Sequence, residues 1–190
     1  MTLTTIDDRA ALVVIDLQNG IAGAPTVPVA ASDIVDRTVQ LADAFRARGR
    51  LVVLVRVSFA ADGSDAAPGR TEAVRPSTPR PEGWDTIVDA LAGHPEDVVV
   101  TKRNWGAFHG TDLDVQLRRR GITQVVLTGI ATSMGVESTA RAAHEHGYHV
   151  ALVTDAMGDR DAENHRRAVE SIFPKLGETG TTAEVLALLT

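Results

Sequence analysis

The chain of 190 residues contains no cysteine, and this absence excludes several kinds of chemistry. Without a thiol the protein forms no disulfide, no thiolate metal site and no covalent intermediate on cysteine. Aromatic residues are also scarce, at 4% of the chain. The apolar fraction of 44% is nevertheless ordinary for a globular protein, so we expect a core built mainly from aliphatic side chains.

Long basic runs and long apolar runs are absent as well. The net charge is −6, and a nucleic-acid partner is therefore not expected, because phosphate binding requires clustered lysine and arginine. No apolar run reaches the length of a membrane span, and residues 1–8 lack the basic and apolar regions of a signal peptide. We therefore expect a cytoplasmic protein without a membrane partner, folded as a single domain over residues 1–190.

Five short apolar runs are present instead, and none of them alternates polar with apolar residues. Continuous runs of valine, isoleucine and leucine are typical of strands buried on both faces of a parallel sheet. Helical patterns separate them, and this alternation predicts a three-layer α/β/α fold, Rossmann-like, with a central mostly parallel sheet. The five runs are Ala11–Ile15, Leu51–Val55, Val98–Val100, Val125–Leu127 and Val150–Val153.

The predicted helices have recognisable ends. One runs over Ser32–Arg48, with Ser32 as a candidate N-cap and Gly49 as its end. Shorter helical patterns cover 112–120 and 133–146, and a capping-box pattern at residues 181–184 starts a last helix. The proline-rich segment Ala60–Glu82 is too long for an ordinary connection. It is interpreted either as a lid over a site or as a surface loop or oligomer contact.

Ligands of open parallel sheets bind beyond the carboxyl ends of the strands, so the polar residues that follow each run are the candidate site. Asp16 is the strongest candidate for catalysis, because burial at the end of a strand raises the pKa of a carboxyl group while a nearby Lys102 lowers it. The alternative is a plain Asp16–Lys102 ion pair. The residues that follow the five runs are Asp16, Arg56, Thr101 with Lys102, Thr128 with Gly129, and Thr154 with Asp155.

A strand, a sharp turn and a helix follow one another over residues 124–146. This order directs backbone N–H groups of the turn toward whatever lies above the strand end, which suits an oxyanion or a carboxylate. The turn residues Ala131, Thr132 and Ser133 are therefore candidates for substrate binding, together with Arg56. Ser133 and Ser138 are weak candidates for a nucleophile, because no histidine lies beside them in sequence and Ser133 is better explained as a helix cap.

Three segments together resemble the isochorismatase-like superfamily, also called the cysteine hydrolases. They are Val13–Asn19, Val99–Lys102 and Thr128–Arg141, and the likeness extends over nearly the whole chain. The resemblance implies that Asp16 and Lys102 are two members of a Cys-Asp-Lys triad whose third position is Gly135. It also implies a cis Ile130–Ala131 peptide bond, a small-molecule substrate, no cofactor and a homo-oligomer, dimer or larger. Trp105 and Phe108 would line the pocket, with core packing as the alternative for Phe108.

The family contains isochorismatases that lack the cysteine and do not use covalent catalysis. The resemblance therefore implies, first, a hydrolase in which Asp16 acts as an acid on a vinyl ether or related small anion. The second hypothesis is an amide hydrolase with an unrecognised nucleophile, and the third is a non-catalytic protein that binds a small ligand. A metal site is not expected, because residues 56–83 contain no histidine and His144 and His146 diverge on a helix.

Overall fold

Continuous aliphatic runs form the centre of the fold. A computed structural model of the chain describes residues 3–67, 69–72 and 80–189. All residues of the first and fourth strands are buried, as expected for strands covered on both faces. The strands are β1 (Ala10–Ile15), β2 (Leu51–Val57), β3 (Val98–Lys102), β4 (Gln124–Ile130), β5 (His149–Gly158) and β6 (Glu178–Gly180).

The six strands form one sheet in the order β3-β2-β1-β4-β5-β6, and every pairing is parallel. This confirms the predicted fold class and extends it, because β6 was not expected from the sequence. The chain runs outward from β1 to β3 and then returns to place β4 beside β1. The carboxyl ends of β1 and β4 therefore form the topological switch point at which open α/β sheets bind ligands.

Helices cover both faces of the sheet and bury two aliphatic clusters. Val13 and Ile15 of β1 belong to one cluster, while Leu12 and Val14 belong to the other, because successive side chains of a strand point to opposite faces. No helix among the described residues is long and apolar enough to cross a membrane. The helices are α1 (Asn19–Ala22), α2 (Ala31–Arg46), α3 (Leu113–Arg119), α4 (Glu137–Glu145), α5 (Ala162–Arg167) and α6 (Thr182–Leu188).

Two details of the predicted elements are wrong. Ser32 does not cap α2, whose N-cap is Ala30 without a side-chain hydrogen bond. The fifth strand does not end at Val153, because Leu127 lies opposite Leu152 while Gly129 lies opposite Met157. This shift of register lets β5 continue to Gly158. The capping box at the start of α6 is confirmed by reciprocal hydrogen bonds between Thr181 and Glu184.

Candidate active site

Asp16 lies directly after β1, at the switch point of the sheet. Its backbone N–H donates to the Val55 carbonyl of β2 at 2.9 Å, which continues the pairing of the two strands. Its φ angle is +54°, a left-handed conformation that aspartate tolerates better than most residues. The chain therefore turns at Asp16, and its carboxyl group remains buried, with 5% of the residue exposed.

The side chain of Lys102, at the end of β3, reaches Asp16 as the sequence predicts. Its Nζ lies 2.8 Å from Oδ2 of Asp16, and a second hydrogen bond of 3.1 Å goes to the carbonyl of Asn104. Lys102 is only 2% exposed. Because an ammonium group has three donors, one N–H of Lys102 remains available to a ligand.

The second carboxylate oxygen of Asp16 is the most unusual atom of this site. Oδ1 is buried and has no hydrogen-bond partner among the described residues. Burial raises the pKa of Asp16 to about 6, and the charge and hydrogen bond of Lys102 offset only part of that effect. The raised pKa favours the protonated form of Asp16, and Oδ1 is the oxygen without a partner that could carry the proton.

Gly135 faces this carboxyl group. A Cβ atom built on Gly135 would lie 3.3 Å from Asp16 Oδ2, 2.9 Å from Ile15 Cγ2 and 3.5 Å from the carbonyl oxygen of Trp105. A side chain at position 135 would thus occupy the space beside Asp16. The Ile130–Ala131 peptide bond that precedes this turn is cis, as the resemblance implies.

The turn itself is a π-helical turn, Thr132–Val136, that leads into α4. Its hydrogen bonds limit which N–H groups are available to a ligand. The Ser133 N–H donates to Asp159 Oδ2 at 2.7 Å, and those of Met134 and Val136 both donate to the Ala131 carbonyl. Ser133 therefore offers neither a free backbone donor nor a side-chain cap, in contrast to the expectation from sequence.

Asp159 and His165 were not identified from the sequence, yet both form hydrogen bonds to residues of the turn. His165 Nδ1 lies 2.9 Å from Thr132 Oγ1, and both residues are buried. Burial lowers the pKa of His165, although the Asp159 carboxylate acts in the opposite direction. The Thr132 hydroxyl contacts His165 in the interior, and this contact fixes the turn. Asp159 and His165 thus orient two consecutive residues of the turn.

Several other candidate residues lie away from the Asp16 carboxyl group. Arg56 lies on the sheet face opposite Lys102, where its Nε donates to Thr101 Oγ1 at 3.1 Å, and we do not retain it in the site. Asp155 accepts hydrogen bonds from the N–H and hydroxyl of Thr182 and so anchors the start of α6.

The two aromatic candidates differ from each other. Phe108 is buried in the core, where its ring stacks on His146 with centroids 5.0 Å apart and lies 6.0 Å from the Tyr148 ring. This agrees with the core-packing alternative for Phe108. Trp105 contributes its carbonyl oxygen near Gly135, but its residue is 63% exposed. Its indole does not form a buried pocket wall within this chain.

The proline-rich segment begins beside the site. Asp65 accepts hydrogen bonds from the Ala60 N–H at 2.8 Å and from Arg103 Nε at 2.5 Å, and Arg103 directly follows Lys102. These contacts tie the first part of the segment to the end of β3. Residue 68 and residues 73–79 lie outside the described residues, and the choice between a lid and a surface loop stays a prediction. Across the described ranges, no three histidine or carboxylate side chains converge as a metal site would require.

Comparison with known proteins decides the family. The model of the isochorismatase domain matches residues 10–184. The chain belongs to the isochorismatase family. A solved isochorismatase family protein from Burkholderia thailandensis is 52% identical, covers 97% of both chains and has a TM-score of 0.92. The uncharacterized isochorismatase family protein YecD of Escherichia coli O157:H7 is 44% identical over 179 residues, which is 94% of this chain and 95% of that protein.

A relative with a named activity lies further away. A ureidoacrylate amidohydrolase RutB of Methylorubrum extorquens is 34% identical over 172 residues, covering 78% of this chain and 69% of that enzyme. The isochorismatase family is hydrolytic, and hydrolysis is therefore the class of reaction against which the site is to be interpreted.

Proposed function

We propose that this member of the isochorismatase family hydrolyses a small anionic substrate, a vinyl ether or a related compound, by non-covalent acid catalysis from Asp16. The observation that carries the proposal is the buried Asp16 Oδ1, which has no hydrogen-bond partner among the described residues, beside an Oδ2 held by Lys102. An unpaired buried carboxylate oxygen is costly. Glu137 Oε2 is also unpaired, but its other oxygen pairs with the half-exposed Arg141, whereas Asp16 is paired with the buried Lys102.

The two carboxylate oxygens of Asp16 would have different roles. Oδ2 accepts from Lys102, so a proton bound by Asp16 sits on Oδ1. That proton would pass to the methylene carbon of the vinyl ether, water would add to the resulting oxocarbenium carbon, and the carbon–oxygen bond to the leaving group would then break. One proton of the added water returns Asp16 to its protonated state, and the other passes to the leaving oxygen as the carbonyl group forms. A pKa of about 6 suits this cycle, because acid catalysis is most efficient near the operating pH.

Lys102 would bind the negative charge of the substrate. Two of its three donors make hydrogen bonds within the described residues, and the third would bind a carboxylate of the substrate. Gly135 lets the backbone of the turn approach Asp16 closely, since a Cβ there would lie 3.3 Å from Asp16 Oδ2 and 2.9 Å from Ile15 Cγ2. The substrate would lie against this backbone, where a side chain would interfere with it.

The proposal is tested with isochorismate and simpler anionic vinyl ethers as substrates, followed by release of the carbonyl product. Asp16→Asn keeps the shape but cannot deliver a proton, so turnover is expected to fall at least ~100-fold with substrate affinity nearly intact. Lys102→Ala should instead weaken binding of the same anion. Equal turnover of wild type and Asp16→Asn would refute the acid role.

A second candidate function is amide hydrolysis, which the relationship to the ureidoacrylate amidohydrolase favours. The chain has no cysteine, so this activity would need another nucleophile or a directly activated water. Ureidoacrylate is therefore the matched second substrate, with ammonia release as the readout. Turnover of ureidoacrylate without turnover of any vinyl ether would replace the first proposal with the second. Specific binding without turnover of either class would identify a non-catalytic ligand-binding protein.

A further inference from the structure

A cleft lies at the amino-terminal edge of the sheet, opposite the candidate active site. It has a volume of about 790 Å³, and four arginines contribute to its lining: Arg9, Arg48, Arg50 and Arg120. Asp8 is the one carboxylate among the described residues that line it. Four arginines against one aspartate leave three formal positive charges in this cleft, although the whole chain carries a net charge of −6.

The fold brings these arginines together from three separate parts of the chain. Arg9 precedes β1, Arg48 and Arg50 lie in the connection from α2 to β2, and Arg120 follows α3. Arg9 also donates from Nη1 to the Arg120 carbonyl at 3.2 Å. The arrangement is a tertiary feature and not a basic run, which is why the linear sequence did not indicate it.

Arg50 is the residue that distinguishes this cleft from an ordinary charged surface. Its side chain is 9% exposed, but its ion-pair partner Asp8 is fully exposed, with Oδ1 3.9 Å from Nη2 of Arg50. The equally buried Arg46 has a buried carboxylate, Asp97, at 2.6 Å. A buried charge requires a close counterion. Arg46 has one, whereas Arg50 has no buried counterion among the described residues.

The hydrogen bonds of the four guanidinium groups leave the same edge of each group free. Within the described residues each group uses only Nη1 as a hydrogen-bond donor, to the carbonyls of Arg120, Ala44, Asp7 and Gln116 respectively. Arg120 Nη1 also bonds the Gln116 side chain. The Nε and Nη2 atoms make no hydrogen bond within the described residues, and the one ion pair among them is the long contact of Arg50 Nη2 with Asp8. Together they form the fork that binds an oxyanion through two parallel hydrogen bonds.

We propose that this cleft binds a small polyanion with two or more phosphoryl groups, of the size of a diphosphate or a nucleoside diphosphate. Its charge would neutralise the three excess positive charges, and its oxygens would accept from the free guanidinium edges. The volume falls within the range of small-molecule sites. The cleft lies at the start of the strands, a full strand length from Asp16, so it is separate from the proposed hydrolytic site.

Titration calorimetry of the full chain with inorganic pyrophosphate at low ionic strength tests the proposal. Arg48→Gln combined with Arg120→Gln should weaken binding by ~10-fold or more, since two charge-assisted contacts are lost. Arg119→Gln is the matched control, because this exposed neighbour carries the same charge but does not line the cleft. The affinity of the Arg119→Gln variant for pyrophosphate should change less than ~2-fold, since surface charges away from a site contribute little. Arg50→Lys keeps the charge without the fork and should give an intermediate loss.

Four results would overturn the proposal: no saturable binding of pyrophosphate, an equal loss in Arg119→Gln, equal affinity for orthophosphate, or dissociation of an oligomer by pyrophosphate in sedimentation velocity. The last result would show that carboxylates of a second copy occupy the cleft. Should the double variant not fold, the single Arg48→Gln variant applies the same test. Asp16→Asn should bind pyrophosphate like the wild type, so the outcome does not depend on the hydrolase proposal.

Discussion

Arg46 with Asp97 and Asp16 with Lys102 are both buried ion pairs, but only the first has a fully hydrogen-bonded carboxylate. Arg46 donates from Nε to Asp97 Oδ1 at 3.3 Å and from Nη2 to Oδ2 at 2.6 Å. Its Nη2 also reaches the Leu91 carbonyl, which ties the end of α2 to the segment before β3. In the second pair, Lys102 occupies only one oxygen of Asp16.

This difference separates a pair that stabilises the fold from a pair that we propose binds a ligand. The first pair satisfies its buried polar atoms within the chain, so nothing further is needed to explain it. The second pair leaves Asp16 Oδ1 unpaired and the pKa of Asp16 raised to about 6. Proteins retain such unfavourable arrangements mainly at functional sites, where stability is sacrificed for activity.

The largest effect expected from this comparison is on folding stability. Asp97→Asn leaves the Arg46 guanidinium buried beside Asp43, whose side chain is 63% exposed and 3.1 Å away. We expect a loss of about 3–5 kcal/mol in the free energy of unfolding, because removing one member of a buried pair strands the other. Urea denaturation measures it, and the specific activity of the folded protein should not change.

Asp43→Asn is the control for this prediction. It removes the same charge from the same arginine, but from the exposed side, and should cost less than about 1 kcal/mol. Equal losses in the two variants would show that the buried geometry of Asp97 has no special contribution.

The second prediction concerns the pH dependence of stability. The pKa of Asp16 rises from 3.8 to about 6 on folding, so the folded state binds this proton more tightly than the unfolded state. Stability from this group therefore falls as pH rises from about 4 to 6, by roughly 2–3 kcal/mol. Denaturation of wild type and Asp16→Asn across this range isolates the effect, since other carboxylates are common to both proteins.

The difference in stability between wild type and Asp16→Asn should therefore decrease with rising pH. Asp97→Asn should retain the Asp16-dependent part of the dependence of stability on pH, because Asp97 pairs with Arg46 and not with Lys102. A wild-type advantage over Asp16→Asn that grew with pH would contradict the raised pKa of Asp16 and with it the proposed acid.

The parts of the site that could be predicted are those encoded by a local pattern. An apolar run followed by a polar residue located Asp16 and Lys102, the strand-turn-helix order located the turn, and the family resemblance pointed to Gly135. Asp159 was missed because the polar Thr154-Asp155 pair ends the apolar run, although β5 continues through the register shift to Gly158. No periodicity in the sequence encodes a shift of register between two strands. Asp155 was therefore predicted as the polar residue at the end of β5, where the structure has Asp159.

His165 and Arg50 could not be predicted for a related reason. His165 contacts Thr132 across 33 positions of the chain, and the buried Arg50 contacts the Asp7 carbonyl across 43 positions. A signal for α5 did exist, since Asp161 caps the helix by accepting from the Asn164 N–H. Such a cap predicts a helix, but not the residue that the helix contacts.

The third prediction tests whether position 135 faces the Asp16–Lys102 pair. Gly135→Cys places a thiol beside Asp16 and Lys102, and we expect faster alkylation by iodoacetamide at neutral pH than for a free thiol. The space is tighter than an unhindered helical turn, because the new Cβ would lie 2.9 Å from Ile15 Cγ2. A stability loss of about 2 kcal/mol and a fall in any native turnover should accompany it.

Gly135→Ala is the matched control, because it adds the same Cβ atom without a thiol. The two variants should lose similar stability, measured by urea denaturation, while only the cysteine variant is labelled in mass spectrometry. A thiol that reacts no faster than free cysteine would place position 135 outside the reactive part of the site.

The smallest effect is expected at the supports of the turn. Thr132→Val keeps the shape of the side chain but removes the hydrogen bond to His165 Nδ1, which costs about 1 kcal/mol when a buried partner is left unpaired. The bond between the Ser133 N–H and Asp159 persists, so the turn should loosen without unfolding. Ser133→Ala is the control, since the Ser133 side chain caps neither helical segment and its loss should stay within about 0.5 kcal/mol. Equal stability in urea denaturation and equal turnover for Thr132→Val and Ser133→Ala would show that the His165 contact does not hold the turn. The geometry of the Asp16–Lys102 pair would then depend on the strands alone.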